Sequence, residues 1–491
     1  MCMNNNTMFL PGFHLPTLRR KPRCAQQRLA DHRDHVRNHS LIRLDQTFGR
    51  FIPPSHLDQA STGQFSRRRL LSKTNTFWAF FSQALAADGG CREVVRKLQA
   101  HAAAKEIPLP ASSTSAYCQA RSKLDEEMLQ EILSYIAQQL QESGRALRWK
   151  RRRVVVVDGT GVSMPDTTDN QAIWPQQRTQ KPGCGFPQAR ICACFCLATG
   201  ALLSHRIGNR KQQELPLLRQ QLDTFMPGDV LLGDKGFCSF YDVWQFQQRG
   251  VDSVFTLARR TPVTHAKAVA VLGDDDLLIE WPKPVWARHL SYSREAWEAL
   301  PDRLLLRQIK VTVDVPGFRS QGYYLVTTLT DAKAFSTEDL ADLYRQRWDV
   351  ELYFRDLKTT MGIDILRGRT PPMVRKEILM HLIVYNAIRF LMLDAAQHGN
   401  LKPRQISFKA SMQALRQWEP QISRAGLTRQ DHNRLIGLLR NAIADVALLD
   451  RRGRSEPRCV KRRPKPYALL TAHRHDMIEI PHRGRHRAKA A

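Results

Sequence analysis

Three acidic residues stand where their carboxylates could hold metal ions together. Asp158 directly follows the apolar run 154–157, and Asp234 comes two residues after the apolar run 230–232. Glu351 lies in a charged stretch further along the chain. Three carboxylates brought together repel one another unless cations neutralise them. Two Mg²⁺ ions about 3.5–4 Å apart can do so, and can also activate a water or a 3′-hydroxyl for in-line phosphoryl transfer.

The charged stretch 344–358 places further ionic groups beside Glu351. As a helix turning about 100° per residue, it brings Tyr344, Arg347, Glu351 and Lys358 within roughly 60° of one another. The cations on this face suit phosphate, and the carboxylate suits a divalent metal. The alternative is a solvated face stabilised by Arg–Glu pairs four residues apart. An apolar stripe beside this face is expected to be buried: Leu343, Val350, Phe354, Leu357 and Met361.

The elements that would position the two aspartates read as an α/β fold. Short apolar runs bounded by turn residues predict buried strands, with helices between them. Both aspartates are expected at the carboxyl ends of such strands, which is the sheet edge where ligands bind in α/β proteins. The predicted strands are 154–157, 190–198, 201–207, 230–232 and 253–257, and the predicted helices are 215–225 and 242–248.

The chain divides by composition and periodicity into successive segments, and no internal repeat is present. Short helices around a Ser-rich turn suit DNA binding, although any helical bundle has the same pattern. The predicted segments are a basic, disordered leader (1–70), a helical N-terminal DNA-binding region (71–150), the first part of an α/β catalytic core (151–270), a β-rich insertion (271–335), the second part of the core (336–400), C-terminal helices (401–450) and a basic disordered tail (451–491).

The charge of the chain indicates a polyanionic partner. The 491 residues carry a net charge of +29 and have a pI near 10.2, which suits nucleic acid or an anionic membrane. The longest apolar run, 378–393, is interrupted by His381, Asn386 and Arg389 and reads as a buried helix. No signal peptide is expected, and ten irregularly spaced cysteines suggest a reducing compartment. We therefore expect a cytoplasmic protein that binds DNA and no membrane.

The spacing Tyr344-x2-Arg347-x3-Glu351-x6-Lys358 resembles the "YREK" signature of bacterial insertion-sequence DDE transposases of family four. The segments around both aspartates, 158–167 and 233–237, are similar to the aspartate segments of that family. Two N-terminal segments, 76–80 and 115–121, also resemble it. The resemblance covers about residues 75 to 400 and leaves the first 70 residues and the tail unmatched.

The resemblance implies an RNase H-like catalytic core with a β-strand insertion between the second aspartate and the glutamate. It also implies Mg²⁺ or Mn²⁺, two ions per active site, cutting at terminal inverted repeats, and joining of the ends to target DNA. By position, the expected metal ligands are Asp158, Asp234 and Glu351. The expected partners are double-stranded DNA, as transposon ends and target, and a second copy in a homodimer, all in the bacterial cytoplasm at the nucleoid.

The resemblance further implies residues that hold DNA. Tyr344, Arg347 and Lys358 would hold the terminal phosphates, and Arg259 is a looser match to another phosphate-contacting arginine. Trp348 adjoins the same face, where stacking near the DNA end and helix packing are equal alternatives. A flipped base could stack on a tryptophan of the insertion, with a core or rim position as the alternative. The candidates are Trp281, Trp286 and Trp297.

We therefore predict a DNA transposase that uses two-metal phosphoryl transfer. An RNase H-like nuclease without strand transfer shares the carboxylates, and the phosphate-holding residues and tryptophan-bearing insertion favour the transposase over it. A non-enzymatic DNA-binding protein is the second alternative. Binding alone does not require three acids in a cationic groove, so this alternative is the weaker one.

Overall fold

The structure of the chain is a computed structural model whose described residues fall into two compact units. The first unit comprises Met1–Met128 and Leu415–Ile436, and the second comprises Leu129–Ala414 and Gly437–Ala491. The structure describes residues 48, 52, 54–58, 62–66, 70–104, 108–177, 179–181, 183–257, 262–286, 293–313, 321–422, 427–448, 476–480 and 485–488.

Among the described residues, helices predominate in 54–143 and 337–444, and strands predominate between these ranges. In chain order, the α-helices are α1 Pro54–Leu57, α2 Lys73–Leu85, α3 Cys91–Ala104, α4 Ser115–Ser122, α5 Glu126–Ser143, α6 Thr168–Ile173, α7 Glu214–Arg219, α8 Phe240–Gln248, α9 Arg294–Glu298, α10 Thr337–Arg345, α11 Asp349–Arg355, α12 Pro371–His398, α13 Phe408–Ile422 and α14 Arg429–Ala444. The strands are β1 Val154–Ser163, β2 Gln188–Cys196, β3 Leu202–Asn209, β4 Val230–Gly233, β5 Asp252–Thr256, β6 Ala270–Gly273, β7 Asp276–Pro282, β8 Arg303–Val313, β9 Gln321–Thr327, β10 Met477–Ile480 and β11 Arg485–Ala488.

The first unit is built around α2, which is buried along most of its length. The Ser72 side chain accepts a hydrogen bond from the Asn75 backbone and so caps this helix. The amide of Gln83, on the same helix, accepts hydrogen bonds from Tyr117 (2.7 Å) and Arg121 (2.8 Å) of α4. Since all three side chains are buried, this polar cluster fixes how α4 packs on α2.

The end of the predicted leader belongs to this helical unit. Phe48, Ile52 and Leu57 are buried, and the ring of Phe48 lies 5.3 Å from that of Phe81 in α2. Leu57 ends the short helix α1. The prediction that the disordered leader extends to residue 70 is therefore wrong for this part, because its apolar residues have a helical surface to pack against. Residues 1–47 lie outside the described residues.

The second unit contains one nine-stranded mixed sheet in the order β3-β2-β1-β4-β5-β9-β8-β7-β6. Strands β1, β4 and β5 are parallel, and the other neighbours pair antiparallel. The five core strands predicted from sequence are present with shifts of at most two residues, except that β1 continues to Ser163, six residues past its predicted end. Predicted helix 215–225 is instead the short helix α7 followed by a separate 3-10 turn at Leu222–Thr224.

The 271–335 segment supplies strands to this same sheet. The strands β7, β8 and β9 lie in this segment, so the predicted β-rich character is confirmed. Strand β9 pairs with β5 through Thr256↔Leu325, so the hydrogen-bond ladder runs from the core strands into this segment without a break. The segment is therefore continuous with the core sheet.

Helix α12 is the buried helix predicted around residues 378–393. Within the part of the chain that the structure describes, it alone has the length and hydropathy to cross a membrane, but 83% of its apolar window is buried inside the protein. Its polar interruptions make internal hydrogen bonds. Asn386 donates to the carbonyl of Leu202 and accepts from its amide, which ties α12 to the start of β3.

The stretch 344–358 is not the single regular helix predicted from its spacing. Helix α10 ends at Arg345, a 3-10 turn covers Gln346–Trp348, α11 follows, and a π-helical turn covers Asp356–Thr360. A 3-10 residue turns about 120° rather than 100°, so the three of them shift the helical phase by about 60°. All five residues of the predicted apolar stripe are nevertheless buried.

The tail departs from the prediction of disorder at two short segments. Strands β10 and β11 pair antiparallel, with Ile478 opposite Arg487. The apolar run in Met477–Ile480 has strand-forming residues that the overall basic composition of the tail conceals. The rest of 451–491 lies outside the described residues, except Asp476.

Candidate active site

Asp158 lies within β1, and Asp234 lies at the equivalent position just after the neighbouring parallel strand β4. The pairing of β1 with β4 sets Val156 opposite Leu232, and each aspartate lies two residues beyond that pair. Parallel neighbours lie about 4.8 Å apart, and residues two apart on a strand point to the same face. The strand register therefore brings the two aspartates close to each other at the carboxyl end of β4.

The position of Asp158 within its strand corrects the prediction. Asp158 is the fifth residue of the ten-residue strand β1, not the residue after its end. The strand continues because β2 pairs with it as far as Ser163. Only the parallel pairing with β4 stops before Asp158. Asp234, in contrast, follows β4 directly and caps the next turn, since its Oδ1 accepts from the Gly236 amide at 2.8 Å.

The surroundings of Asp158 disfavour its charged form. Burial raises the pKa of this carboxyl to about 6, and the negative charges of Glu214 and Asp234 act in the same direction. The Gly159 amide, which donates to Asp158 Oδ1 at 2.8 Å, and the charge of Arg347 lower the pKa. Clustered acids with one nearby guanidinium form a site of excess negative charge, to which a cation is attracted.

Glu214 is a residue of this cluster that the sequence analysis does not identify. It is the first residue of α7, and its Oε1 lies 3.7 Å from Nε of Arg190. Burial raises the pKa of Glu214, and the charge of Asp234 adds to that effect while Arg190 opposes it. The only signal in the sequence was a glutamate immediately before the predicted helix at 215, which is ordinary for a helix start.

Tyr344 and Arg347 lie at the same site. The Tyr344 hydroxyl donates to Thr256 Oγ1 at 3.2 Å, at the end of β5. Burial raises the pKa of Tyr344, and Arg347 and Asp234 are both close enough to influence it. The Arg347 guanidinium lies 5.7 Å from the Tyr344 ring centre and 4.6 Å from that of Trp348. Arg347 is only 8% exposed, and its Nε has no hydrogen-bond partner.

The other predicted site residues that the structure describes are more exposed than Tyr344 and Arg347. Glu351 is exposed on α11, Lys358 is half-buried in the π-helical turn, and Trp348 is 58% exposed. The phase shift in the 3-10 turn gives a reason: the buried face that carries Tyr344 and Arg347 does not continue regularly to Glu351. Arg259 lies outside the described residues.

The candidate tryptophans differ in exposure. Trp297 is buried and donates from Nε1 to the Pro284 carbonyl at 3.2 Å. Trp281 packs edge-on against Phe240, with ring centres 5.6 Å apart. Trp286 is half-buried, and its indole N–H has no hydrogen-bond partner. Trp297 and Trp281 thus have packing roles. Trp286 differs from them in that its indole N–H lacks a hydrogen-bond partner.

The acidic groups fit a divalent cation by their chemistry. Mg²⁺ and Mn²⁺ prefer carboxylate oxygens, and the neighbouring Asp158 and Asp234 supply such oxygens where negative charge is in excess. Within the described ranges, no three His, Cys, Asp or Glu side chains already form a group close enough to hold an ion. An ion would therefore have to draw these carboxylates together.

Two family models match successive parts of the chain. The family described as "Transposase DDE domain" matches residues 149–387, and the family described as "Insertion element 4 transposase N-terminal" matches residues 44–134. The N-terminal match begins close to Phe48, well before residue 75, where the sequence analysis placed the start of the resemblance.

Individual proteins show similarity over different lengths. The chain is 26% identical over 450 residues to transposase InsG for insertion sequence element IS4 of Escherichia coli K12, covering 88% of this chain and 96% of that protein. It is 32% identical over 71 residues to the putative transposase InsL for IS186A of the same organism, covering 14% of this chain and 19% of that one. The solved piggyBac transposase synaptic complex with hairpin DNA is 11% identical to this chain. The comparison covers 82% of each chain and gives a TM-score of 0.38.

Proposed function

The chain belongs to the IS4 family of insertion-sequence DDE transposases, and on that premise we propose that Asp158, Asp234 and Glu351 hold the divalent metal of its DNA chemistry. The observation that supports this most directly is the register of β1 and β4, which sets the two aspartates side by side. We further propose Mg²⁺ or Mn²⁺, with two ions per site. Bound ions would supply charge neutralisation and an activated hydroxyl for phosphoryl transfer.

We propose that the sheet around this site is an RNase H-like core. The antiparallel strands β1, β2 and β3 followed by the parallel strands β4 and β5 support this assignment. The 271–335 segment would then be an insertion that extends the core sheet from β5. Residues 71–150 would be the helical DNA-binding region, 336–400 the second part of the core and 401–450 the C-terminal helices.

Within this site, the chain's own residues would bind and orient DNA. Arg347 is a buried cation whose charge acts on Asp158, so its guanidinium would attract a phosphate bound at the metal site. Tyr344 is held by Thr256 and stands beside Arg347. Lys358 lies further along the same stretch and would meet a neighbouring phosphate, while the exposed indole of Trp348 offers a stacking surface.

The assignment leads to a complete reaction scheme. The protein would cut at the terminal inverted repeats of its element and join the ends to target DNA, acting as a homodimer on double-stranded DNA in the bacterial cytoplasm. Joining separates a transposase from a nuclease, which would only cut. Tyr344 and Arg347 favour joining, because they would keep the cut end beside the metal site for the second step.

Substitution of the three acids tests the proposal. Asp158→Asn, Asp234→Asn and Glu351→Gln should each abolish cutting of terminal DNA with Mg²⁺ and with Mn²⁺, while a gel-shift assay shows DNA binding retained. Asp169→Asn, at an exposed aspartate in α6, is the matched control and should cut normally. Joining is measured separately with pre-cut ends and a target plasmid. A Glu351→Gln variant that cuts at the normal rate would remove Glu351 from the site, and Asp158 and Asp234 would remain to be judged by their own variants.

A further inference from the structure

A pocket of about 390 Å³ lies in the second unit, at the end of the sheet away from Asp158. Val154, the first residue of β1, lines it together with Leu197 and Ala198, which follow β2. Asp158 lies four residues beyond Val154, which is about 13 Å along the strand. A pocket of this size can hold a small organic ligand. The rest of its wall comes from residues outside the sheet: 146–149, Leu343, Gln346 and 402–404.

Cations line this pocket, and none of its lining residues is acidic. The three cations are Arg148, Lys402 and Arg404. Arg404 already donates from Nη1 to Gln346 Oε1 at 2.7 Å. Arg148 and Lys402, in contrast, form no ion pair with any residue that the structure describes. Two positive charges without a counterion at the wall of a partly enclosed pocket attract an anion.

Trp149 forms the aromatic part of the wall, and its position is fixed by both its ring and its backbone. The ring stacks on that of Phe335, with centres 5.6 Å apart and planes at 23°. Lys150 and Arg151, which follow Trp149, have φ values of 43° and 64°. The Arg152 amide closes this turn on the Trp149 carbonyl at 2.7 Å. Residues other than glycine rarely adopt such φ values, so the surrounding structure holds this turn in place.

We propose that this pocket binds a nucleotide. Arg148 and Lys402 would hold its phosphate by charged hydrogen bonds. The base would lie against Trp149 and the apolar side chains of Leu197 and Leu343, because every base has a flat face on which an aromatic side chain can stack. An inorganic anion would leave this apolar wall without a partner, and a wholly apolar ligand would leave both cations without one.

This site is separate from the catalytic carboxylates and does not depend on the metal proposed there. Two sources can supply the nucleotide. One is a DNA strand bound by the protein, and the other is a free nucleoside triphosphate. Both present the same phosphate and base to the pocket, so the shared chemistry is tested first and the two sources are separated afterwards.

Calorimetric titration of the full-length protein with dATP, without DNA or metal and at about 0.15 M salt, tests the site. We expect one dATP to bind per chain, and Arg148→Gln and Lys402→Gln should each raise the Kd roughly tenfold through the loss of a charged hydrogen bond. Arg145→Gln and Lys409→Gln remove the same charge from exposed residues outside the pocket and should change the Kd by less than about twofold. Thermal unfolding checks that every variant folds. If dATP does not bind, or if pocket and control variants change the Kd equally, the inference is wrong.

Inorganic tripolyphosphate, which has the phosphate groups of dATP without the base, tests the apolar wall. The parent protein should bind dATP roughly tenfold more tightly than tripolyphosphate, because stacking of one base on an aromatic ring contributes about this factor. Trp149→Leu should remove most of that difference. Equal affinity of the parent for the two probes would mean that the pocket takes phosphate alone, and it would overturn the assignment to a nucleotide.

A second dATP titration, into protein saturated with terminal duplex DNA, separates the two sources. If a DNA strand supplies the nucleotide, the loaded protein no longer binds dATP, and Arg148→Gln weakens DNA binding whereas Arg145→Gln does not. If the ligand is a free nucleotide, the loaded protein binds dATP with an unchanged Kd. No residue of the pocket belongs to the proposed metal site, so failure of the dATP titrations would leave Asp158, Asp234 and Glu351 to be judged by their own variants.

Discussion

Arg389 of α12 donates from Nη2 to Asp356 Oδ2 at 2.8 Å, and both side chains are buried. The Arg389 guanidinium also donates from Nε to the Tyr385 hydroxyl and lies 4.7 Å from the ring centre of Tyr353. Asp356 opens the π-helical turn that contains Lys358. This buried ion pair therefore anchors the end of the 344–358 stretch to the long core helix.

Removing one partner of this pair should destabilise the protein. Arg389→Met leaves the Asp356 carboxylate buried without its cation, and we expect the free energy of unfolding to fall by about 3–5 kcal/mol. Denaturant unfolding measures this. Arg303→Met, which breaks the exposed pair with Glu280, is the control and should cost about 0–1 kcal/mol. If the two variants lost equal stability, the buried pair would not anchor this stretch.

The stability of the protein should fall in mild acid because of His205. This side chain is buried in β3, and burial lowers its pKa to about 4, with Arg206 adding to the effect. The unfolded chain takes up a proton below about pH 6.5, whereas the folded protein does so only near pH 4. Stability is therefore lost as the pH falls through this window, by about 2 kcal/mol between pH 7 and pH 5.

His205→Leu should reduce that pH dependence. Comparison of denaturant unfolding at pH 7 and pH 5 gives the change for each protein, and the variant should lose about 2 kcal/mol less than the parent over this interval. His398→Leu, at an exposed histidine, is the control and should keep the parental pH dependence. Equal pH dependence of His205→Leu and the parent would show that His205 is not the group responsible.

Arg347 should matter for DNA cutting far more than its neighbour Arg345. Arg347 is buried against Tyr344 and Trp348, whereas Arg345 is exposed beside Asp342. Arg347→Ala should weaken binding of terminal DNA and slow its cutting by an amount equivalent to about 1.5–3 kcal/mol, the value of a charged hydrogen bond. Lys358→Ala should act in the same direction. End-cutting rates and affinities measure both, and Arg345→Ala is the control.

The alternative role of Arg347 is packing against Tyr344 and Trp348 without contact to DNA. If Arg347 only packs on its two aromatic neighbours, Arg347→Ala lowers thermal stability and leaves the cutting rate of the folded fraction unchanged. Measurement of unfolding and cutting on the same preparation distinguishes this outcome from the expected one.

The basic tail should contribute to binding of DNA of any sequence. Residues 451–491 contain 13 Lys/Arg against 3 Asp/Glu. Deleting them should reduce the slope of log K against log salt by about 0.9 for each phosphate that the tail neutralises, while the preference for terminal sequences over random duplex is kept. Binding isotherms at several salt concentrations test this. An unchanged slope would mean that the tail does not touch phosphate.

Sequence patterns predicted the elements better than the site. Apolar runs such as Val154–Val157 identified buried strands, because both faces of the sheet are covered there. Register depends on tertiary pairing, so the extension of β1 past Asp158 could not be read from the sequence. A helical wheel assumes one uniform rotation per residue, so it missed the 3-10 turn at Gln346–Trp348. Glu214 escaped notice because its contact with Gly159 joins residues 55 positions apart, and no local pattern records such a contact.

Because β5 pairs with β9, the outer strands of the sheet are connected to the strands that carry the candidate site. Thr256, the last residue of β5, is paired with Leu325 of β9 and accepts the hydroxyl hydrogen bond of Tyr344. A displacement of the outer strands β6 to β8 would therefore be passed towards Tyr344 through successive hydrogen-bond ladders. A partner that binds at the β6 edge would therefore shift Tyr344, the side chain near Asp234. Binding at this edge and the alignment of groups around the carboxylates would then be coupled.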